Sequence, residues 1–257
     1  MDISLNKKVN TKAVKAIEEF DLIEDGDQIA AGISGGKDSS FLLMVLSVLQ
    51  KYSSKSFSLK AVHIDLGFKN SESNIEIKKI CDKLNIDLKI IYTEISTYIN
   101  NNKNNNPCSK CAHFRKGALI NYLKENDFNK LAFGHHLDDA VETFLMSILY
   151  SGQLKTLQPK RKLSESKITI IRPLIYLREH KIQNQIEINN ISLKSSLCPY
   201  DGDSARSKIR HNFKDYFEDE QLFSNLISAM RGKNKHELWP EELDYDLLSK
   251  KMKNFWK

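Results

Sequence analysis

Residues 29–40 read Ile-Ala-Ala-Gly-Ile-Ser-Gly-Gly-Lys-Asp-Ser-Ser, and the fold turns on how they are read. An apolar run, 28–33, enters the stretch and a longer one, 41–49, leaves it. Between them stand Gly35, Gly36, Lys37 and the hydroxyls of Ser34, Ser39 and Ser40. That composition predicts a strand, a tight turn and a helix start. A helix start presents unpaired backbone N–H groups and the positive end of its dipole to an anion. The glycines carry no Cβ, so the backbone can approach a phosphate closely. Lys37 adds a point charge and the serines add donors. A Walker A loop does not fit, because Ala31 stands where its first glycine belongs and Asp38 where Ser or Thr follows the lysine. The dinucleotide fingerprint fails as well, since Ser34 occupies the place of its second glycine.

What remains is Ser34-Gly35-Gly36-Lys37-Asp38-Ser39. It resembles the SGGxDS pyrophosphate loop of the PP-loop ATP pyrophosphatases, which cleave ATP between the α and β phosphates and adenylate a substrate. Working outward, residues 5–23 read as an amphipathic helix with Val9, Val14, Ile17 and Phe20 on one side. Strands are expected at 58–66, 87–92, 130–133 and 168–171. Helices are expected at 73–85, with Ile77, Ile80, Cys81 and Leu84 inward, from Pro107 through Leu123, and at 138–150 before Ser151-Gly152. The asparagine-rich 100–106 reads as an exposed loop and Lys160-Arg161-Lys162 as a basic one. Strands alternating with helices predict an α/β fold, a parallel-sheet, Rossmann-like PP-loop ATPase domain over 1–200. A mostly helical, charged C-terminal extension over 201–257 follows. Right-handed crossovers place the Ser34–Ser39 loop at the C-terminal edge of the sheet.

Composition sets bounds. The 257 residues suffice for one large domain with an extension, and 40% hydrophobic with 28% charged residues is ordinary for a soluble protein. The net charge of +6 permits a polyanionic partner and equally a lysine-rich solvated surface. The first ten residues lack the apolar core of a signal peptide, and 41–49 is too short to span a membrane, so a cytoplasmic location with no membrane partner is expected. Four unevenly spread cysteines do not make a disulfide framework.

Two further clusters carry chemistry. Cys108 and Cys111 form a Cys-x-x-Cys pair at the start of a helix, with Cys198 as a third thiol; Cys81 lies in the apolar phase of its helix and reads as core. The residues fit two metals equally. Structural zinc would need a fourth ligand such as His113 or His211, whereas a cubane cluster on three cysteines leaves one iron open for sulfide. The second cluster is Gly134-His135-His136-Leu-Asp138-Asp139-Ala-Val-Glu142-Thr143. Its acids suit a helix N-terminus by the dipole alone. At a strand end beside the phosphate loop, its imidazoles and carboxylates also suit a nucleotide pocket, the acids orienting Mg²⁺. His63 and Asp65, on the second strand, are further nucleotide-binding candidates, Asp65 as a neighbour of the ribose. Lys160–Lys162 and the run Arg206, Lys208, Arg210, Lys214 suit either RNA phosphates or solvent, and Arg172 before Pro173 either faces the nucleotide or caps the sheet.

Taken together and in this order, the loop, Pro107-Cys108-x-x-Cys111, Gly134-His-His-x-Asp-Asp-x-x-Glu-Thr143, Arg172-Pro173-Leu174 and Cys198 resemble the TtcA-type tRNA 2-thiocytidine synthetases. The resemblance covers most of the chain, from about Lys7 to Cys198. It implies a 4Fe-4S cluster on Cys108, Cys111 and Cys198, with ATP and Mg²⁺ as the other cofactors. It implies adenylation of the C2 oxygen of an anticodon-loop cytidine in tRNA, then displacement of AMP by sulfur from a cysteine-desulfurase persulfide. Ser34, Gly35, Gly36, Lys37 and Ser39 would bind pyrophosphate. Asp38 would orient Mg²⁺ and substrate, supported by Asp138 and Asp139, with Gly134 and His135 on the nucleotide. A homodimer is compatible with this reading. The alternatives are a lysidine-synthetase-like adenylase with structural zinc, a thiolase of another nucleobase, and a nucleotide-binding regulator without turnover.

Overall fold

The computed structural model describes residues 5–68, 72–101, 107–164, 166–191 and 205–231. Cys198 and everything beyond Arg231 lie outside them, as do residues 102–106 of the expected asparagine-rich loop.

Strand β1 (Asp27–Gly32) lies inside a six-stranded sheet. It pairs in parallel with β2 (Phe57–Asp65) on one side and β4 (Lys130–Ala132) on the other. Strand β3 (Leu88–Tyr92) extends the sheet beyond β2, and β6 (Thr169–Ile171) extends it beyond β4, both parallel. The outermost strand, β5 (Lys160–Lys162), runs antiparallel to β6, so the order is β3-β2-β1-β4-β6-β5. This corrects the expected basic loop at 160–162 and makes the sheet mixed. Three consecutive cations hide the strand from any apolar pattern. The β6 ladder makes it one, and Lys160 Nζ is tied to Asp21 O and Glu24.

Helix α2 (Lys37–Tyr52) is buried on every side from residue 39 to 46, as an apolar helix without a polar face must be. Helix α1 (Lys7–Glu19) buries Val9, Ala13, Ala16 and Ile17. Its inner face is therefore rotated from the expected one, and Val14 is 37% exposed. Two small alanines let the helix lie close, which a search for large apolar residues overlooks. Helix α3 (Glu72–Leu84) buries Ile77, Ile80, Cys81 and Leu84, the expected set.

A second apolar cluster joins the sheet residues Ala30, Val62, Ile64 and Leu131 to α4 (Ile95–Asn101) and α5 (Pro107–Glu125), through Ile95, Ile99, Leu119 and Leu123. Helix α6 (Leu137–Ser151) starts where β4 ends and stops at Gly152, whose φ of +59° is the left-handed cap. Helix α7 (Glu179–Ile188), not anticipated, buries Ile182, Gln185 and Ile186 and packs on α2.

Contacts divide the chain into two units, 1–214 and 215–257. Helix α8 (Ala205–Asn212) lies in the first, later than the boundary at 200, because its arginines bind acids of α6. The second unit contains α9 (Lys214–Glu218) in part and α10 (Glu220–Met230), where Phe217 and Phe223 meet edge to face at 5.9 Å. Among the described residues no helix is long and apolar enough to cross a membrane.

Candidate active site

The loop after β1 is held in shape by its own serines. Gly35 has a φ of +84°, which a side chain would strain. The Ser34 N–H donates to Ser39 Oγ at 3.1 Å, and the hydroxyls of Ser39 and Ser40 each donate to Gly36 O at 3.0 Å. Gly36 caps α2 without a side chain, so the first N–H groups of that helix are left for a ligand. The end of β4 presses against this turn at Gly134. A Cβ there would lie 2.6 Å from Asp38 O and 2.7 Å from Asp38 C. The glycine serves close packing of strand on loop.

Beside the loop is a cavity of about 380 Å³. Ser34, Asp38 and Ser39 of the loop, Gly134 and His135 after β4, and Asp139 of α6 line it. Val62, Ile64 and Phe133 form an apolar wall, and Ala112, Arg115, Lys116 and Leu119 of α5 complete it. Helical spacing puts position 108 in phase with 112, 115 and 119, and position 111 in phase with 115. The Cys-x-x-Cys helix thus faces the phosphate loop across one cavity. Cys111 is half-buried and packs beside the core; the Cys108 side chain lies outside the described residues.

His136 sits at the centre of the charged groups. It is buried and caps α6: its N–H donates to Asp139 Oδ2 at 3.0 Å, and its Nδ1 accepts from the Asp139 N–H at 3.4 Å. Nε2 lies 3.4 Å from Asp139 Oδ2 and 3.7 Å from Asp38 Oδ1. Burial opposes its charge, but Asp138, Asp139 and Asp38 outweigh it and raise its pKa above the usual histidine value. Burial, reinforced by the charge of Asp139, raises the pKa of Asp38 against the pull of His136 and Lys37. Asp38 Oδ1 is buried with no hydrogen-bond partner among the described residues.

Several expected site residues do other work. Asp138 does not line the cavity. It accepts from Arg178 Nε at 2.9 Å and from the Glu179 N–H at 2.7 Å, fastening α6 to the start of α7. Burial opposes ionisation, yet His136, the Glu179 N–H and Arg178 bring its pKa down to about 2. His63 lies behind the loop, its Nδ1 at 2.8 Å from Ile33 O, and burial lowers its pKa. Asp65 accepts from the Gly67 N–H and from Asn74, closing the turn after β2. Lys37 pairs with Glu179 Oε1 at 2.6 Å as well as with Asp38.

The arginines of the basic run are engaged within the chain. Arg206 Nη1 donates to Asp139 Oδ1 at 3.1 Å and Nη2 to Thr143 Oγ1 at 3.1 Å. Arg210 Nε donates to Glu142 Oε1 at 2.7 Å, and its Nη1 lies 3.3 Å from Glu179 Oε2. Burial raises the pKa of Glu142 despite Arg210. Arg172 is buried and donates from Nε to His135 Nδ1 at 3.3 Å and from Nη1 to Gln158 O. Sequence reasoning missed Arg115, Lys116 and Glu179. The first two follow Cys108 and Cys111 at helical spacing and were findable; Glu179 reaches Lys37 only through the packing of α7 on α2.

Comparison with known proteins agrees with this geometry. Residues 5–215 match the model of the PP-loop domain. The chain is 34% identical over 231 residues to a tRNA-cytidine(32) 2-sulfurtransferase of Syntrophotalea carbinolica, covering 88% of this chain and 89% of that protein. It is 36% identical to one from Idiomarina loihiensis, covering 89% and 77%. In fold it resembles the U34-tRNA thiolase NcsA of Methanococcus maripaludis, solved with its [4Fe-4S] cluster, with a TM-score of 0.73 at 22% identity over 92% of this chain and 80% of that one. The extent of these matches and the intact loop between β1 and α2 establish that the chain belongs to the PP-loop family.

Proposed function

We propose that the protein is an ATP-dependent tRNA sulfurtransferase that converts an anticodon-loop cytidine to 2-thiocytidine. The observation that carries the reading is the shared cavity: the phosphate loop lines one side and the cysteine-bearing helix α5 the other. Relatives a third identical over most of the chain carry that activity in their names.

The chemistry needs both walls. A pyrimidine C2 oxygen leaves poorly, so it first attacks the α-phosphorus of ATP, the bond to the β-phosphate oxygen breaks, and pyrophosphate departs. A sulfur nucleophile then attacks C2, and AMP leaves with the original oxygen. The N–H groups at the start of α2 hold the departing pyrophosphate, and Lys37 turns from Glu179 to the phosphates. This is stabilisation by donors fixed in advance. Val62, Ile64 and Phe133 shield the activated base from water on the sheet side. Arg115 and Lys116 offer cations at the cavity wall to the RNA backbone.

The residues fit Mg²⁺: the unpartnered Asp38 Oδ1 and Asp139, both beside His136 Nε2, would hold it, and it would screen phosphate charge. Asp138 is spent on α7 and would not. Cys108, Cys111 and Cys198 are the thiols that would hold a 4Fe-4S cluster, and three thiolates for four irons would leave the cluster able to hold sulfur. A cysteine-desulfurase persulfide provides that sulfur once a dithiol has supplied the two electrons that release it as sulfide, the dithiol leaving as its disulfide, and the reaction takes place in the cytoplasm with tRNA.

The test is anaerobic incubation of the purified protein with tRNA, ATP, a desulfurase with cysteine, and dithiothreitol as reductant, followed by mass spectrometry of the nucleosides. The expected result is 2-thiocytidine with equimolar AMP and pyrophosphate, and none with Cys111→Ala. ATP turnover that depends on lysine and yields no thionucleoside would sink the proposal in favour of a lysidine-type adenylase.

A further inference from the structure

We propose that Arg172 is a positioning residue that locks His135 as a neutral imidazole with its hydrogen on Nε2, reserving that N–H as a donor to a phosphate oxygen of the bound nucleotide. The lock is argued from geometry alone; only the acceptor rests on the ATP-dependent reading above.

The tautomer follows from the chemistry of the pair. A guanidinium has N–H groups only and stays protonated, so it can donate but never accept. Its Nε–H meets His135 Nδ1 at 3.3 Å, so Nδ1 must present a lone pair. A neutral imidazole with a lone pair on Nδ1 carries its hydrogen on Nε2. Arg172 is itself held by a second bond, from Nη1 to Gln158 O, and buried at 7% exposure. No described carboxylate forms an ion pair with it; Asp139 acts on its charge only from a distance, and its Nε–H is left to the histidine.

His135 lines the cavity with Asp38, Ser39 and Asp139. Its ring stands edge-on to Phe133, at 5.6 Å and 69°. Nε2 has no partner among the described residues. A fixed donor beside a phosphate loop is therefore left unused by the protein. The charged groups around the ring agree: burial first, then Arg172, Arg206 and His136, disfavour its protonation, and Asp139 alone favours it.

Both adjacent histidines thus use Nδ1 as an acceptor, His136 from the Asp139 N–H and His135 from Arg172, but among the described residues only the Nε2 of His136 faces carboxylates. His135 is then a poor general acid or base at neutral pH and a good preorganised donor.

The experiment is imidazole ¹⁵N NMR of the full-length protein between pH 5 and 8, with His135 assigned through His135→Asn. The wild type should show an unprotonated Nδ1 and a protonated Nε2 at every pH, and the Nε2–H shift should move on adding α,β-methylene-ATP. In Arg172→Met the two tautomers should mix and the ring should titrate. AMP formation should fall about tenfold in kcat, with the Kd for the analogue changed less than about threefold, and Arg172→Lys should recover most of the loss. A wild-type ring protonated on Nδ1, or titrating like a free histidine, overturns the proposal even if the variants fail to fold. An Nε2–H signature that the ATP analogue leaves unmoved overturns the assigned acceptor. That signature in a protein that makes no AMP upholds the lock and counts against the sulfurtransferase reading alone.

Discussion

At Gly134 one hydrogen atom keeps the phosphate loop open. A methyl group would meet the carbonyl of Asp38 and, at 3.0 Å, the Ser39 nitrogen, which are backbone atoms with no freedom to swing away. Gly134→Ala is expected to cost about 2 kcal/mol in urea unfolding and to weaken ATP binding at least tenfold by calorimetry. Asp138 and Asp139 look equivalent as letters, yet successive helical positions diverge by about 100°. One acid meets the cavity and its neighbour meets α7, and the sequence contains nothing that says which. Asp138 supports folding through its ionised form: its pKa is about 2 in the fold, against about 3.9 unfolded. Its contribution is complete above about pH 4 and is lost as the pH falls towards 2. Asp138→Asn should therefore lose about 2 kcal/mol at pH 7 and show a flatter stability profile between pH 4 and 2, measured by denaturation at stepped pH.

Helices α7 and α8 brace the site from outside. Glu179, in the first turn of α7, holds Lys37 in one hand and Arg210 in the other. Phosphates must compete with that carboxylate for the lysine. Glu179→Gln should tighten ATP binding several-fold in low salt, with a smaller gain at high salt because the effect is electrostatic. Arg210 in turn neutralises Glu142, which is 1% exposed. Arg210→Ala would leave that charge with Arg206 Nε alone, 3.5 Å from Oε2, and should cost about 2 kcal/mol, and adding Glu142→Gln should restore part of it in a double-mutant cycle. These elements were the hardest to read. The spacing of Ile182, Gln185 and Ile186 marks α7, but a polar Gln in the buried stripe weakens the pattern. The arginines of α8 suited RNA phosphates or solvent alike, and neither reading found Asp139 and Glu142, because a cation's partner is set by tertiary packing, not by its neighbours in sequence.

Across the whole molecule, the strand–loop–helix stretch at 29–40 was legible because its chemistry is local. Strand order, the antiparallel edge and the face presented by α1 depend on contacts between distant segments and were not. Every ion pair described around the cavity closes within residues 1–214. A chain ending at Lys214 should accordingly unfold in one cooperative transition and keep ATP affinity within about threefold, and loss of binding in such a chain would show that 215–257 completes the nucleotide site. The edge strand β5 has a consequence for association. A sheet tends to recruit another at an open edge, and this edge presents Lys160, Arg161 and Lys162 in succession. Two copies meeting there would set the cations of one against those of the other, so this side of the sheet polices its own boundary: fibrils and pairs growing from β5 are discouraged, and strand pairing between copies would have to start from the opposite edge at β3.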